Sequence, residues 1–230
     1  MEKSVRIGLI HATPVAIEPI QAAMATLWPS AEVANILDDS LSVDRASANV
    51  DEATMSVRIL MLRRYAEAIG CHAVLFTCSA FSHAIERAAS LSSIPVLKPN
   101  EAMFSAAIRR GGKIAMLYTF PPAREGMEEE FREEAARSNS TATLASFLVE
   151  DALQALRGGD VERHNRLIAD AAAKLHGFDA ITLAHFSTSR AKQAVEAVAS
   201  APVLTSPDTA VARLKDLLRE APVPTQTSAK

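Results

Sequence analysis

Residues 73–81 read Ala73-Val74-Leu75-Phe76-Thr77-Cys78-Ser79-Ala80-Phe81. An apolar run stops abruptly at Thr-Cys-Ser, and a helical pattern follows. Such a run is a strand buried on both faces, as in a parallel sheet. It carries a thiol to the edge of the sheet where the next helix begins. Open α/β sheets bind small ligands at that edge.

The stretch has a counterpart. Residues 70–78 read GCHAVLFTC, and residues 177–185, lying 107 positions later, read GFDAITLAH. Pro95-Val96-Leu97 matches Pro202-Val203-Leu204 at the same spacing, as do Arg6-Ile7-Gly8-Leu9-Ile10 and Lys113-Ile114-Ala115-Met116-Leu117, with Pro14 against Pro121. Several segments in one register imply an internal duplication. In it Cys78 of the first half corresponds to His185 of the second.

Working outward, the pattern predicts a strand over 5–11 and a helix through 27, with Thr13 as N-cap and Pro14 at its first position. A strand over 32–37 ends at Asp38-Asp39-Ser40. A helix over 50–69 stops at Gly70, and the Cys78 strand and a helix over 79–89 follow. A short strand at 94–97 and a helix over 101–109 close the first half. The second half repeats the plan: strands at 113–118, 141–148, 180–185 and 203–204, and helices at 123–136, 161–175, 189–199 and 208–219. Strands alternating with helices indicate parallel sheets flanked by helices. The expected fold class is therefore α/β, with two pseudo-symmetric lobes, each a mainly parallel sheet, and an active-site cleft between them. The expected units are a first lobe, 1–112, with the C-terminal helix packing back on it; a second lobe, 113–220; and a mobile tail, 221–230.

A chain of 230 residues has enough length for a large core without disulfide or metal staples. Its net charge of −3, with mixed signs throughout, argues against a nucleic-acid-binding surface. No apolar run reaches membrane-spanning length and no signal-peptide layout is present, so no membrane partner is expected. The two cysteines, Cys71 and Cys78, lie seven positions apart along one strand, on opposite faces, which makes a bridge implausible. This usage fits a reducing compartment, and a cytoplasmic protein is expected. Neither a Gly-rich dinucleotide motif nor a P-loop follows any strand. The turn His11-Ala12-Thr13-Pro14 has no glycine to admit a pyrophosphate, so no nucleotide is expected.

With these residues in place, the chain resembles the aspartate/glutamate racemase superfamily, with its hydantoin racemase, maleate isomerase and arylmalonate decarboxylase relatives. The resemblance covers about residues 5–220 and rests on the duplication, on Phe76-Thr77-Cys78-Ser79 and on Pro95-Val96. Where that family usually has Gly-Cys-Thr in its second half, this chain has Ala184-His185-Phe186. The resemblance implies a cofactor-independent isomerase of the racemase or epimerase type. In the family two thiols flank a carbon beside a carboxylate or amide carbonyl; one removes a proton and the other returns one to the opposite face. The implied partner is a small carboxylate or cyclic amide. Relatives are often dimers, so a homo-oligomer is compatible with the resemblance.

Cys78 is the candidate acid/base. It sits where a helix begins, so its pKa is expected to be lowered; by itself it equally fits a small buried hydrophobe. His185 can serve as acid or base near neutral pH and so replace the missing thiol, or it can bind substrate or simply pack. His11 and Tyr118 end equivalent strands and are candidate substrate contacts. So are Thr77, Ser79, Thr119, Phe186 and Ser187 at strand-to-helix turns, and Asp38 and Ser40 after the second strand. Lys98, Arg124 and Arg190 lie near turns and are candidates for pairing a second carboxylate. The other histidines lack ligand spacing, so no metal is expected. Three alternatives remain open: a one-thiol decarboxylase or maleate-type isomerase; a Cys–His hydrolase; and a non-catalytic binding module.

Overall fold

The structure, a computed structural model, describes residues 5–47 and 50–220. The tail expected at 221–230 lies outside them.

Strands β1 (Arg6–His11), β2 (Glu32–Leu37), β3 (Ala73–Phe76) and β4 (Val96–Leu97) form a parallel sheet in the order β2-β1-β3-β4. Strands β5 (Lys113–Tyr118), β6 (Thr143–Leu148), β7 (Ala180–Leu183) and β8 (Val203–Thr205) form a second parallel sheet in the order β6-β5-β7-β8. The helices are α1 (Ile17–Leu27), α2 (Ser40–Ser47), α3 (Glu52–Ala68), α4 (Ser82–Ser90), α5 (Glu101–Ile108), α6 (Arg124–Arg137), α7 (Ala152–Arg157), α8 (Val161–Ala172), α9 (Lys192–Glu196) and α10 (Ser206–Glu220). Four 3-10 turns, Pro14–Ala16, Ser79–Phe81, Pro121–Ala123 and Phe186–Ala191, follow the two central strands of each sheet.

Between their ends the central strands are apolar, the buried Thr182 apart, because helices cover both faces. On the first sheet Ile10, Val74 and Phe76 pack against α3 and α4, while Ile7, Leu9 and Leu75 pack against α1. Gly8 lets α3 come close, since a Cβ there would lie 3.1 Å from the Ala66 Cβ and 3.2 Å from the Cys71 sulfur. The duplication extends to the backbone: Gly70 and Gly177 both end their preceding segments at positive φ, 79° and 74°, where glycine carries no Cβ penalty.

The last helix of each half packs on the other half's sheet. Ala210, Val211 and Leu214 of α10 share a core with Ile7, Leu9 and Leu75. Met103, Phe104 and Ala107 of α5 share one with Ile114 and Met116. The turns after the central strands also cross over: Ser79–Phe81 touches Pro121–Ala123 and α6, and Phe186–Ala191 touches Pro14–Ala16 and α1. The carboxyl ends of the two sheets therefore converge.

Several details differ from the sequence-based expectation. The helix expected over 79–89 opens as the 3-10 turn before α4, and the one over 189–199 is mostly 3-10, with α9 only five residues long. The helix expected to reach 175 ends at Ala172. Helices α2 and α7 occur where none was expected. Among the described residues no helix is long and apolar enough to cross a membrane.

Candidate active site

Cys78 follows β3 and is the extended N-cap residue of the turn Ser79–Phe81. Its thiol is free and half-buried, packed against the core under α3 and α4. Burial pushes its pKa above the ordinary thiol value, and the Ala80 N–H aimed at the sulfur only partly offsets this. The expected lowering is thus corrected. A 3-10 turn of three residues has too little aligned dipole to outweigh the loss of solvation. At neutral pH the resting Cys78 is a thiol, a proton donor.

His185 occupies the matching place after β7, as N-cap of Phe186–Ala191. Its backbone has φ 76° and ψ 139°, a conformation that side-chain-bearing residues rarely adopt. Thr188 fastens the turn: its hydroxyl lies 2.7 Å from both the Ala184 and the His185 carbonyl oxygens. Nε2 of His185 is buried with no hydrogen-bond partner. Burial lowers its pKa to about 4, so the ring is neutral at pH 7 and offers a lone pair. The duplicated positions thus hold a protonated acid on one side and an unprotonated base on the other. Divergent protonation of this kind suits one proton in and one proton out. Since Nε2 has no partner, it does not activate the Cys78 thiol as a hydrolase base would.

His11 is wholly buried. Its Nδ1 lies 2.9 Å from the Thr77 hydroxyl and its Nε2 lies 3.0 Å from Asn35 Oδ1. The Asn35 oxygen accepts the Nε2 proton, which leaves Nδ1 to accept from Thr77. Burial lowers the His11 pKa and keeps the ring neutral. His11 and Thr77, both candidate substrate contacts, are joined to each other and to Asn35 in a strut that holds the residue next to Cys78.

Other expected contacts are also engaged elsewhere. Ser40 donates to Asp38 at 2.6 Å, and Arg58 of α3 clamps Asp38 at 2.6 Å and Asp44 at 2.5 Å, tying α2 to α3. The Phe186 ring is buried in the first sheet's core, among Ile7, Leu9 and Leu75. Tyr118 packs in the second sheet's core. Thr119, Ser79 and Ser187 are buried at the converging strand ends. The three cations are ion-paired within the protein: Lys98 with Glu86 and Glu133, Arg124 with Glu128, and Arg190 with Glu18. Asn35 and Thr188 were not anticipated. For Asn35 the one available signal was an amide inside the apolar strand Glu32–Leu37.

One cavity flanks a strand-end turn and a second lies away from these turns. The first, of about 260 Å³, lies between the lobes, lined by residues 79–83 of the Cys78 turn and by α6. A larger one, about 600 Å³, opens between α5, α6 and α10 and touches none of the strand-end turns. Among the described residues no group of three or more His, Cys, Asp or Glu side chains is arranged to hold a metal ion.

A family model described as Asp/Glu/Hydantoin racemase matches residues 10–214. No curated protein sequence matches the chain. Among solved structures, a glutamate racemase isoform from Bacillus anthracis superposes with a TM-score of 0.74 at 14% identity, covering 95% of this chain and 83% of that one. An aspartate racemase homologue from Pyrococcus horikoshii gives 0.73 at 14% identity, covering 94% and 99%. An allantoin racemase from Klebsiella pneumoniae gives 0.67 at 21% identity, covering 94% and 88%. At these identities the superpositions establish the shared two-lobed fold.

Proposed function

Because the chain belongs to the Asp/Glu/Hydantoin racemase family, and is thus a racemase-type isomerase, we propose that it works through one thiol and one imidazole. The substrate is a small molecule with an acidic C–H beside a carboxylate or cyclic amide carbonyl. The observation that carries this reading is the pairing of Cys78 and His185 at duplicated strand ends, with His185 held at φ 76° and its Nε2 unpartnered.

In one direction the neutral imidazole takes the proton from the α-carbon and becomes imidazolium. The Cys78 S–H delivers its proton to the opposite face and becomes thiolate. In the other direction the thiolate takes the proton and the imidazolium returns one. Charge that develops on the carbonyl oxygen is met by backbone N–H groups at the starts of the two turns. A buried histidine with a pKa near 4 is a weak base at rest; a substrate carboxylate beside it raises that value. The chemistry asks nothing of a cofactor. Two free cysteines fit a reducing compartment, and we place the protein in the cytoplasm on that ground.

The test is proton NMR in deuterium oxide with aspartate, glutamate, a 5-substituted hydantoin, allantoin, arginine and lysine. Loss of the α-proton signal with inversion is expected for at least one of them. The exchange should vanish in Cys78→Ala and fall by at least about 100-fold in His185→Ala, as for the loss of a general base. Exchange that survives in Cys78→Ala refutes the mechanism. Carbon dioxide release without inversion would place the protein with the one-thiol decarboxylases.

A further inference from the structure

The cavity of about 260 Å³ beside the Cys78 turn is lined by six glutamates against one arginine and one histidine. Part of this charge is compensated. Arg45 pairs with Glu52 at 2.7 Å, and buried Lys98 lies 2.5 Å from Glu86 and 3.3 Å from Glu133. Glu125 and Glu130 have no ion-pair partner among the described residues, and Glu129 has only His83, at 3.9 Å. Glu130 lines the cavity although only 2% exposed; neither carboxylate oxygen makes a hydrogen bond of good geometry, the nearest donors being the side chain and backbone N–H of Asn100.

The duplication shows what is missing. His83 and Arg190 are 107 positions apart, as are Glu125 and Glu18. In the second half's crossing turn, Arg190 reaches over to the first lobe and binds Glu18 and the Val15 carbonyl oxygen. A guanidinium closes that junction. At the matching junction the residue is His83, whose side chain is 72% exposed and 3.8 Å or more from its acidic neighbours. An acid-lined space stands where its mate holds a cation.

We propose that this cavity binds a small organic cation, a guanidinium or alkylammonium group, supplied by the ligand in the place that Arg190 fills on the other side. It is too roomy for a bare ion and no metal-ligating group is present among the described residues. Its lining includes Ser79, one residue past the thiol. Resting on the racemase-type reading, the cation is the far end of the substrate, and the preferred substrate class is a basic amino acid or its cyclic amide, not a dicarboxylate. Burial raises the Glu130 pKa to about 8. The charged groups near it are Glu129 and Glu133 on α6, His83 and Glu86 on α4, and Lys98 and Glu101. Bound cation draws the proton off Glu130, so affinity rises with pH across that value.

The experiment is calorimetric titration of the full chain with butylguanidinium, butylammonium and uncharged butanol. The two cations should bind and the alcohol should not, with affinity about 25-fold higher at pH 8.5 than at pH 6.5, as expected when one group of pKa near 8 must ionise. Glu130→Gln should weaken binding and flatten the pH dependence. His83→Arg, at an exposed position where folding is not at risk, supplies the cation internally and should weaken binding at least about tenfold. Absence of cation binding, equal binding of butanol, or full binding in His83→Arg overturns the proposal. Cation binding by the unaltered chain while no substrate shows exchange leaves the cavity standing and rejects the racemase mechanism. Exchange of glutamate or aspartate without cation binding does the reverse.

Discussion

His185 is where a single residue gives up most for the site. A side chain at φ 76° costs on the order of 1–3 kcal/mol relative to a relaxed backbone. Glycine carries no such penalty. His185→Gly should therefore be more stable than His185→Ala by about 1 kcal/mol in urea unfolding, although it removes one more carbon. Equal stability would mean that the turn relaxes around alanine and that no strain is stored. The ring adds a pH dependence of its own. Its folded pKa, about 4, lies below the ordinary 6.5, so the unfolded chain binds more protons between those values. The stability it contributes is complete above about pH 6.5 and is lost as pH falls toward 4. Both members of the proposed acid/base pair stand out in the sequence, because the duplication aligns a histidine with a cysteine. Thr188 could not, since its value lies in two carbonyl groups that only the folded turn brings to its hydroxyl.

At the level of elements, the strut Asn35–His11–Thr77 joins three neighbouring strand ends behind the thiol. Asn35→Leu leaves the His11 Nε2–H buried without an acceptor, which should cost about 1–3 kcal/mol in urea unfolding. A cost below about 0.5 kcal/mol would show that the ring turns to another partner. The strands and most helices were legible because they are apolar runs and amphipathic stretches of ordinary length. Helix α2 was not. Ser40–Ser47 is polar, and it is held by the reach of Arg58 from α3 to Asp38 and Asp44, a contact between residues 14 and 20 positions apart. Helix α7 has only six residues and follows Asp151 at φ 60°. The β2 and β6 strands escaped the duplicated register for a simple reason: their starts, Glu32 and Thr143, are 111 positions apart rather than 107. In between, α6 is 14 residues long against 11 in α1.

For the whole molecule, the exchange of α5 and α10 makes each core depend on both halves of the chain. We propose 1–112 and 113–220 as the duplicated units, while the packing crosses that boundary in both directions. Removing α10 would expose Ile7, Leu9 and Leu75 on the first sheet, so a chain cut after residue 205 should fail to fold. The intact protein should melt in one calorimetric transition, with the van't Hoff and calorimetric enthalpies equal. Two resolved transitions would show that the lobes are energetically independent.

Two halves that trade their last helices are connected as a domain-swapped homodimer would be, with the two copies joined into one chain. A true homodimer must put the same residue at both ends of its symmetry axis, so any acid is paired with an identical acid. Fusion removes that restriction. Each copy of the strand end can then change without altering the other. One copy of this chain kept a thiol and the other took an imidazole; one junction gained an arginine and the other an acid-lined space. The two strand ends are thus free to differ residue by residue, where symmetry would have forbidden it.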